Sequence, residues 1–253
     1  MPTAITRAIS ESIIYCELTH LERTPIDLQL ARAQHQQYEN ALRSIGCEVI
    51  SLPELPDLPD SVFVEDTAVI LDEAAIITNP GAISRRPEID SMAEVLQKYR
   101  KLIRIESPAT VDGGDVLVVG KMIYVGLSNR SNVEAVNQMQ SSLNELGYQV
   151  SGVEVRGCLH LKSAVTVVSA DTLLINPDWV DKSLFAGVNF IEIDESEPPA
   201  ANGLLIGDAV IYPTTFPKTA QKLKSNGISL ILVDADELAK AEGAVTCCSL
   251  ILN

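Results

Sequence analysis

Several polar side chains of this 253-residue chain stand where apolar ones are expected, and their types could make a catalytic set. Glu65 and Asp66 interrupt the apolar run FVEDTAVIL, and Asp112-Gly113-Gly114-Asp115 directly precedes VLVVG. His160 stands just before KSAVTVVS, and Cys247 lies inside VTCCSLIL. A thiol can act as nucleophile, an imidazole as acid and base, and a carboxylate can orient the imidazole. Each residue alone has a plainer reading. A DGGD turn is usually structural, a buried cysteine is usually inert, and Arg85, Arg86 and Arg130 would ordinarily be solvated. Of the three histidines, His20 falls in a loop and His35 in a helix, so only His160 stands at a strand entrance.

Spacing is what joins them. Asp66 to Asp112 is 46 residues, Asp112 to His160 is 48, His160 to Asn202 is 42 and Asn202 to Cys247 is 45. Between these markers the chain repeats an order of hairpin, helix and strand, as in DVLVVG and MIYVGL, the helix ending at Gly147, and YQVSGVEV. Four intervals, with a fifth unit completed by AITRAI pairing with VTCCSLIL, predict five modules closed into a ring. An open doubly wound sheet would alternate single strands with helices, whereas here hairpins dominate. Equivalent positions of a fivefold ring converge on its axis, which brings the markers to one cavity.

The same reading sets details to be compared with the structure. Thr24-Pro25 should open a helix carrying Ala31, Tyr38, Leu42 and Ile45 on one face and stopping at Gly46. FVEDTAVIL should be one continuous strand, a helix should lie near 177–184, and another near 218–225. VTCCSLIL should be a strand on which Cys247 and Cys248 alternate, so that only one thiol faces the cavity.

The composition narrows the class. A formal net charge of −15 disfavours nucleic acid and anionic membrane and suits a cationic small molecule, although acidity also serves solubility. Five cysteines without a CxxC spacing give neither a disulfide framework nor a structural zinc site. No signal-peptide core and no apolar run of membrane-spanning length is present, so the expected compartment is the cytosol. No linker divides the sequence, and residues 1–253 are expected to form a single domain; a homodimer is left open.

The strings FVEDTAVI, NPGAISRRPEID, VDGGDVLVVG, GLSNRSN, LHLKS and TCCSL, in this order, resemble the dimethylarginine dimethylaminohydrolases of the guanidino-modifying (pentein) superfamily. The resemblance runs from about Leu18 onward. It implies a five-bladed α/β propeller, in agreement with the module count. It also implies hydrolysis of Nω-methylated free arginine to citrulline and methylamine or dimethylamine through a covalent cysteine thiouronium, without metal or organic cofactor. On this resemblance Cys247 is the nucleophile, His160 the general acid and base, and Asp112 (Glu in many relatives) the carboxylate that orients it. Glu65 and Asp66 would hold the guanidinium, and Arg85 and Arg130 the α-carboxylate. Asp60, the Ala241 carbonyl and the Leu18 region would take the α-amino group, with 18–24 as a mobile lid. Glu242 stands where some relatives have Asp.

Three rivals are weighed. Arginine deiminases share the ring, the thiol and the histidine but read HLD where this chain has His160-Leu161-Lys162; losing that carboxylate leaves room for methyl groups. A non-catalytic ring protein would not need a convergent thiol, imidazole and carboxylates. A zinc site of Cys247, His160 and Asp66 lacks the close ligand spacing of structural zinc.

Overall fold

In the computed structural model, which describes all 253 residues, the fifteen strands form five separate three-stranded sheets. The first module holds β1 (Thr3–Arg7), α1 (Leu28–Ser44) and β2 (Glu48–Leu52). The second holds β3 (Ala68–Ile70), β4 (Ala74–Ile77), α2 (Glu88–Leu96) and β5 (Lys101–Arg104). The third holds β6 (Val116–Val119), β7 (Met122–Leu127), α3 (Val133–Leu143) and β8 (Gln149–Glu154). The fourth opens with a one-turn helix, α4 (Leu161–Ala164), followed by β9 (Val165–Ser169), β10 (Thr172–Ile175) and β11 (Asn189–Glu192). The fifth holds β12 (Leu204–Ile206), β13 (Ala209–Pro213), α5 (Pro217–Ser225) and β14 (Ser229–Val233). A short α6 (Asp236–Ala239) and β15 (Leu250–Leu252) end the chain.

Every sheet has the same wiring. An inner strand pairs antiparallel with a middle strand, and the middle strand pairs parallel with an outer one. The parallel step needs a crossover, which a helix supplies in four of the five modules. In the first module β15 is the inner strand, running antiparallel to β1 with Thr3 opposite Leu252, so the two chain extremities close the ring. The inner strands β3, β6, β9, β12 and β15 together line an axial channel of about 430 Å³. This is the five-bladed α/β propeller expected from the spacing of the markers. The apolar core is divided into five clusters, such as the one where Val69 and Ile76 of the second blade meet Val116, Val125, Met139 and Leu143 of the third.

The markers lie just before the inner strands, and a closed belt of hydrogen bonds passes through them from blade to blade. Gly114 N–H donates to Asp66 Oδ1 (2.9 Å), Leu161 N–H to Asp115 Oδ1 (2.9 Å), and Asn202 Nδ2 to the Lys162 carbonyl (3.0 Å). Thr246 N–H then donates to Asn202 Oδ1 (3.1 Å) and Glu65 N–H to the Cys247 carbonyl (3.1 Å). Asp66, Asp115 and Asn202 are therefore fixed from two directions, by their own strand and by the neighbouring blade.

Four local expectations are corrected. The first helix begins at Leu28, because Asp27 supplies the cap by accepting from Leu30 N–H (3.0 Å). FVEDTAVIL is strand only from Ala68; Val64–Thr67 is a 3-10 turn held by Thr67 Oγ1 donating to the Val64 carbonyl. The helix near 177–184 shrinks to a 3-10 turn at Lys182–Leu184. Cys247 and Cys248 are in a turn, β15 starting only at Leu250. In both strand cases side chains take backbone groups that a longer ladder would have used: Thr67 and Thr78 hydroxyls bond the Val64 and Asp66 carbonyls, and Asn202 Oδ1 accepts from Thr246 N–H.

Candidate active site

The turn between α6 and β15 builds the thiol's surroundings. Cys247 N–H donates to the Ala244 carbonyl (3.2 Å), and Ala244 N–H points at the Cys247 sulfur (3.4 Å). Cys247 faces a cavity whose walls include Asp60, Asp66, Arg85, Arg130, His160 and Ala241. Cys248 faces the opposite side, among His35, Tyr38, Leu238 and Val245. The two thiols diverge as expected, although through a turn and not through strand alternation. Both are buried, and burial pushes both thiols up: Cys248 to about 12, and Cys247 well above the usual thiol range, with Glu65 and Asp66 adding to the effect.

His160 stands at the start of α4. Its Nε2 is 3.1 Å from Asp112 Oδ2, and its Nδ1 is 4.0 Å from Asp66 Oδ1. Burial works against the imidazolium, yet the nearby Asp66, the Asp112 bond and Asp115 outweigh it and raise its pKa to about 9. The resting pair is thus an imidazolium and a neutral thiol. Asp112 is held by Gly81 N–H, which donates to its Oδ1 (2.9 Å), while its own N–H donates to Ser131 Oγ (3.1 Å). The glycines of DGGD are required by space. A Cβ on Gly113 would sit 1.9 Å from the Glu65 carbonyl, and one on Gly114 would sit 2.6 Å from His160 Nδ1.

Asp66 is the acid of the cavity nearest His160 and Arg85. Burial alone would raise its pKa, but His160, Arg85 and the Gly114 N–H bring it down to about 2. Arg85 is fully engaged: Nε and Nη2 bond Glu88 (3.1 and 2.8 Å), Nη2 also meets the Asp60 and Phe63 carbonyls, and Nη1 pairs closely with Asp66. Arg130 is less committed. Its Nη2 donates to Thr19 Oγ1 (3.2 Å), and its Nη1 lies 3.6 Å from Asp112 Oδ2. Asp60 Oδ2 accepts from Glu17 N–H (3.1 Å), and burial raises its pKa. Leu18 is half-buried between those two anchored residues.

Glu65 departs from expectation. Its Oε1 takes Lys162 Nζ (2.7 Å) and its Oε2 takes Thr246 Oγ1 (2.8 Å), both on the side of the axial channel. It lines that channel and not the thiol cavity. Of the trio considered for zinc, the geometry groups Asp66 and His160 with Asp112 instead of Cys247, their ligand atoms within 4.8 Å of one another. An imidazole raised to about 9 is a poor metal ligand near neutral pH, since binding requires it neutral. Sequence did not single out Glu88, and named Asp115 only as part of DGGD. The Arg85–Glu88 spacing of three residues in a helical stretch was the available signal for the first, and the second acid of DGGD for the other.

Comparison with known proteins gives the family. Residues 18–185 match a family model described as N,N dimethylarginine dimethylhydrolase, eukaryotic. The chain is 39% identical to the N(G),N(G)-dimethylarginine dimethylaminohydrolase of Pseudomonas aeruginosa over 226 residues, 88% of this chain and 89% of that one. It is 39% identical to the enzyme of the same name from Streptomyces coelicolor over 252 residues, 99% and 96% of the two chains. A cysteine-to-serine mutant of the Pseudomonas aeruginosa enzyme complexed with citrulline superposes with a TM-score of 0.94 at 36% identity, covering 99% of this chain and 98% of that one. The N-terminal domain of ArgZ, at 16% identity and a TM-score of 0.88, shares the fold. Two relatives at this identity over nearly the whole chain, with a family model matching most of it, place this chain in the dimethylarginine dimethylaminohydrolase family.

Proposed function

We infer that this protein hydrolyses Nω-methylated free arginine to citrulline, releasing methylamine or dimethylamine. The observation that carries the reading is the convergence of Cys247, His160 and Asp66 on one buried cavity, in a chain of this family. A guanidinium carbon is a poor electrophile, so the nucleophile must be a thiolate. The free thiol is held neutral by burial and by Glu65 and Asp66. A bound guanidinium brings positive charge beside the sulfur and lowers its pKa, so the thiol gives its proton to solvent before it attacks, His160 being already protonated. Asp66 anchors the cation, the thiolate attacks, and the imidazolium of His160 donates a proton so that the amine leaves. A thiouronium remains on Cys247. His160, now neutral, takes a proton from water and the hydroxide adds to the thiouronium carbon; collapse then passes the hydroxyl proton to the departing thiolate, restoring the neutral thiol and leaving citrulline.

Asp112 keeps the imidazole oriented from behind. Arg130 is assigned the α-carboxylate, with Arg85 adding charge from the wall, and Asp60, the Ala241 carbonyl and the Leu18 segment the α-amino group. Glu65 is assigned a supporting role, bracing the Thr246-Cys247 turn from the channel side. With Glu65 paired to Lys162, Asp66 alone faces the guanidinium, which leaves space for N-methyl groups and supports the methylated substrate over arginine. Residues 1–253 are read as one catalytic domain, and the chemistry written above calls for no metal or organic cofactor. No helix is long and apolar enough to cross a membrane. The five cysteines are free, which suits a reducing cytosol.

Incubation with arginine, monomethylarginine and the dimethylarginines, with citrulline measured, tests this. The expected result is a higher kcat/KM for a methylated form; faster turnover of arginine would replace the reading with a deiminase.

A further inference from the structure

The cavity before Cys247 measures about 20 Å³, room for about one water molecule and far too little for an amino acid. The segment from Glu17 to Arg23 must therefore withdraw before substrate enters. What holds it shut is written in its hydrogen bonds. Thr19, His20 and Leu21 direct three successive backbone N–H groups at the carboxylate of Glu242, the Leu21 bond at 2.7 Å and that of Thr19 at 3.0 Å. Successive N–H groups converging in this way form a nest for an anion.

Glu242 is also the one non-glycine residue of the chain with positive φ, at 59°. The reason is local. Gly243 N–H bonds the Leu238 carbonyl (3.0 Å) and Glu242 N–H bonds the Ala239 carbonyl (3.1 Å), the pattern that ends a helix with a left-handed residue. Glycine is the usual occupant there, because a side chain adds strain. A glutamate at this point keeps a strained backbone together with a side chain that grips the lid. Directly before it lies Ala241, which lines the cavity in front of Cys247.

We propose that Glu242 is a positioning residue, the latch that closes the 17–23 segment over the substrate. The proposal rests on the substrate site just described. Asp60 and Arg130, assigned to the charged ends of the amino acid, are themselves bonded to this segment, at Glu17 N–H and Thr19 Oγ1. Bound substrate takes over the partners of those two contacts, whereas the Glu242 bonds, broken while the segment is open, are free to re-form and bring the lid back.

Glu242→Gly and Glu242→Gln separate the latch from the backbone. The first removes the carboxylate and relieves the strain; the second keeps length and backbone and removes the charge. Without substrate, alkylation of Cys247 by iodoacetamide, mapped by mass spectrometry, should speed up about tenfold or more in both variants. Tryptic cleavage after the exposed Arg23 should accelerate similarly. Emission of Trp179, the single tryptophan, should shift as well, since it lines the same apolar hollow as His20, Leu21 and Glu242. Glu242→Gly should melt at or above the wild-type temperature. Alkylation and cleavage rates within twofold of wild type in both variants would overturn the latch. So would a Glu242→Gly protein that melts lower with its lid rates unchanged. None of these readouts needs turnover, so absence of methylarginine hydrolysis alongside faster alkylation refutes the proposed activity and leaves the latch in place.

Discussion

Glu65 and Asp66, adjacent in sequence, serve opposite sides of the ring: Glu65 binds Lys162 in the axial channel, and Asp66 faces His160 and Cys247 in the cavity. The 3-10 turn at Val64–Thr67 makes this division, because it points consecutive side chains in different directions without strand pleating. Consequences for each side can be measured separately.

Removal of Lys162 should act on stability first. Lys162→Met leaves Glu65 buried without its cation, and a loss of about 3 kcal/mol is expected in urea unfolding. Lys162→Asp should be worse, since it sets a second acid against Glu65. If Lys162→Met unfolds at the wild-type midpoint, the pair contributes nothing and the bracing role assigned to Glu65 fails.

The thiol assignments lead to a simple comparison. Cys247→Ser and His160→Ala should each lower citrulline formation by about 10²-fold or more, while Cys248→Ser, whose sulfur faces away from the cavity, keeps substantial activity. An inactive Cys248→Ser with a working Cys247→Ser would reverse the assignment.

Arg130 and Arg85 should part company. Arg130→Ala is expected to weaken binding of amino-acid substrates by about 1.5–3 kcal/mol in KM, with little effect on a bare alkylguanidine. Arg85→Ala strands Asp66 and Glu88 in the interior and should destabilise the fold by about 3–5 kcal/mol. Equal KM effects of Arg130→Ala on both substrate types would remove it from the carboxylate site.

The DGGD turn offers a test of geometry. Gly114→Ala places a methyl group against His160 Nδ1 and Asp66 Oδ1 and should cut kcat by about 10²-fold while the protein remains folded. Full activity in this variant would mean that the imidazole is freer to shift than its contacts imply.

For pH, the sign follows from His160. Its pKa is raised from 6.5 to about 9 on folding, so the protonated form's contribution to stability is complete below 6.5 and disappears as pH rises through 9. Proton donation to the leaving amine declines over the same upper limit. Melting temperature and single-turnover rate of thiouronium formation should both fall between pH 8 and pH 10, about one unit either side of that pKa. A melting temperature that does not change across this range in wild type would place the imidazole's pKa elsewhere.

Much of this was legible in the sequence. The markers' spacing carried the five modules, because a module of fixed architecture needs a fixed length of chain, and the cysteine, histidine and aspartates stood out as polar residues at strand entrances. Strand lengths were not legible. Val64–Thr67 and Val245–Ser249 have strand-like composition, but contacts with the neighbouring blade bend them into turns, and those contacts are long-range. The orientation of Glu65 was hidden for the same reason: its partner Lys162 is 97 residues away. Glu242 was noticed only as a departure from relatives, since neither a left-handed backbone at a glutamate nor its bond to a loop more than 220 residues earlier leaves a local pattern.

Pairing of β1 with β15 gives the protein a timetable. β1 is made well before β15 and has no inner partner until then, so the first blade is completed only after the inner strands of the other four have been made. Cys247 is in the turn leading into β15, and the belt closes only through its carbonyl and through Thr246. The thiol assigned as nucleophile is thus made after the stretches of chain that carry Asp66, Asp112 and His160. Completion of the site therefore depends on the β1–β15 pairing, the longest-range strand pairing of the fold, and non-local pairings of this kind are the slow ones to form.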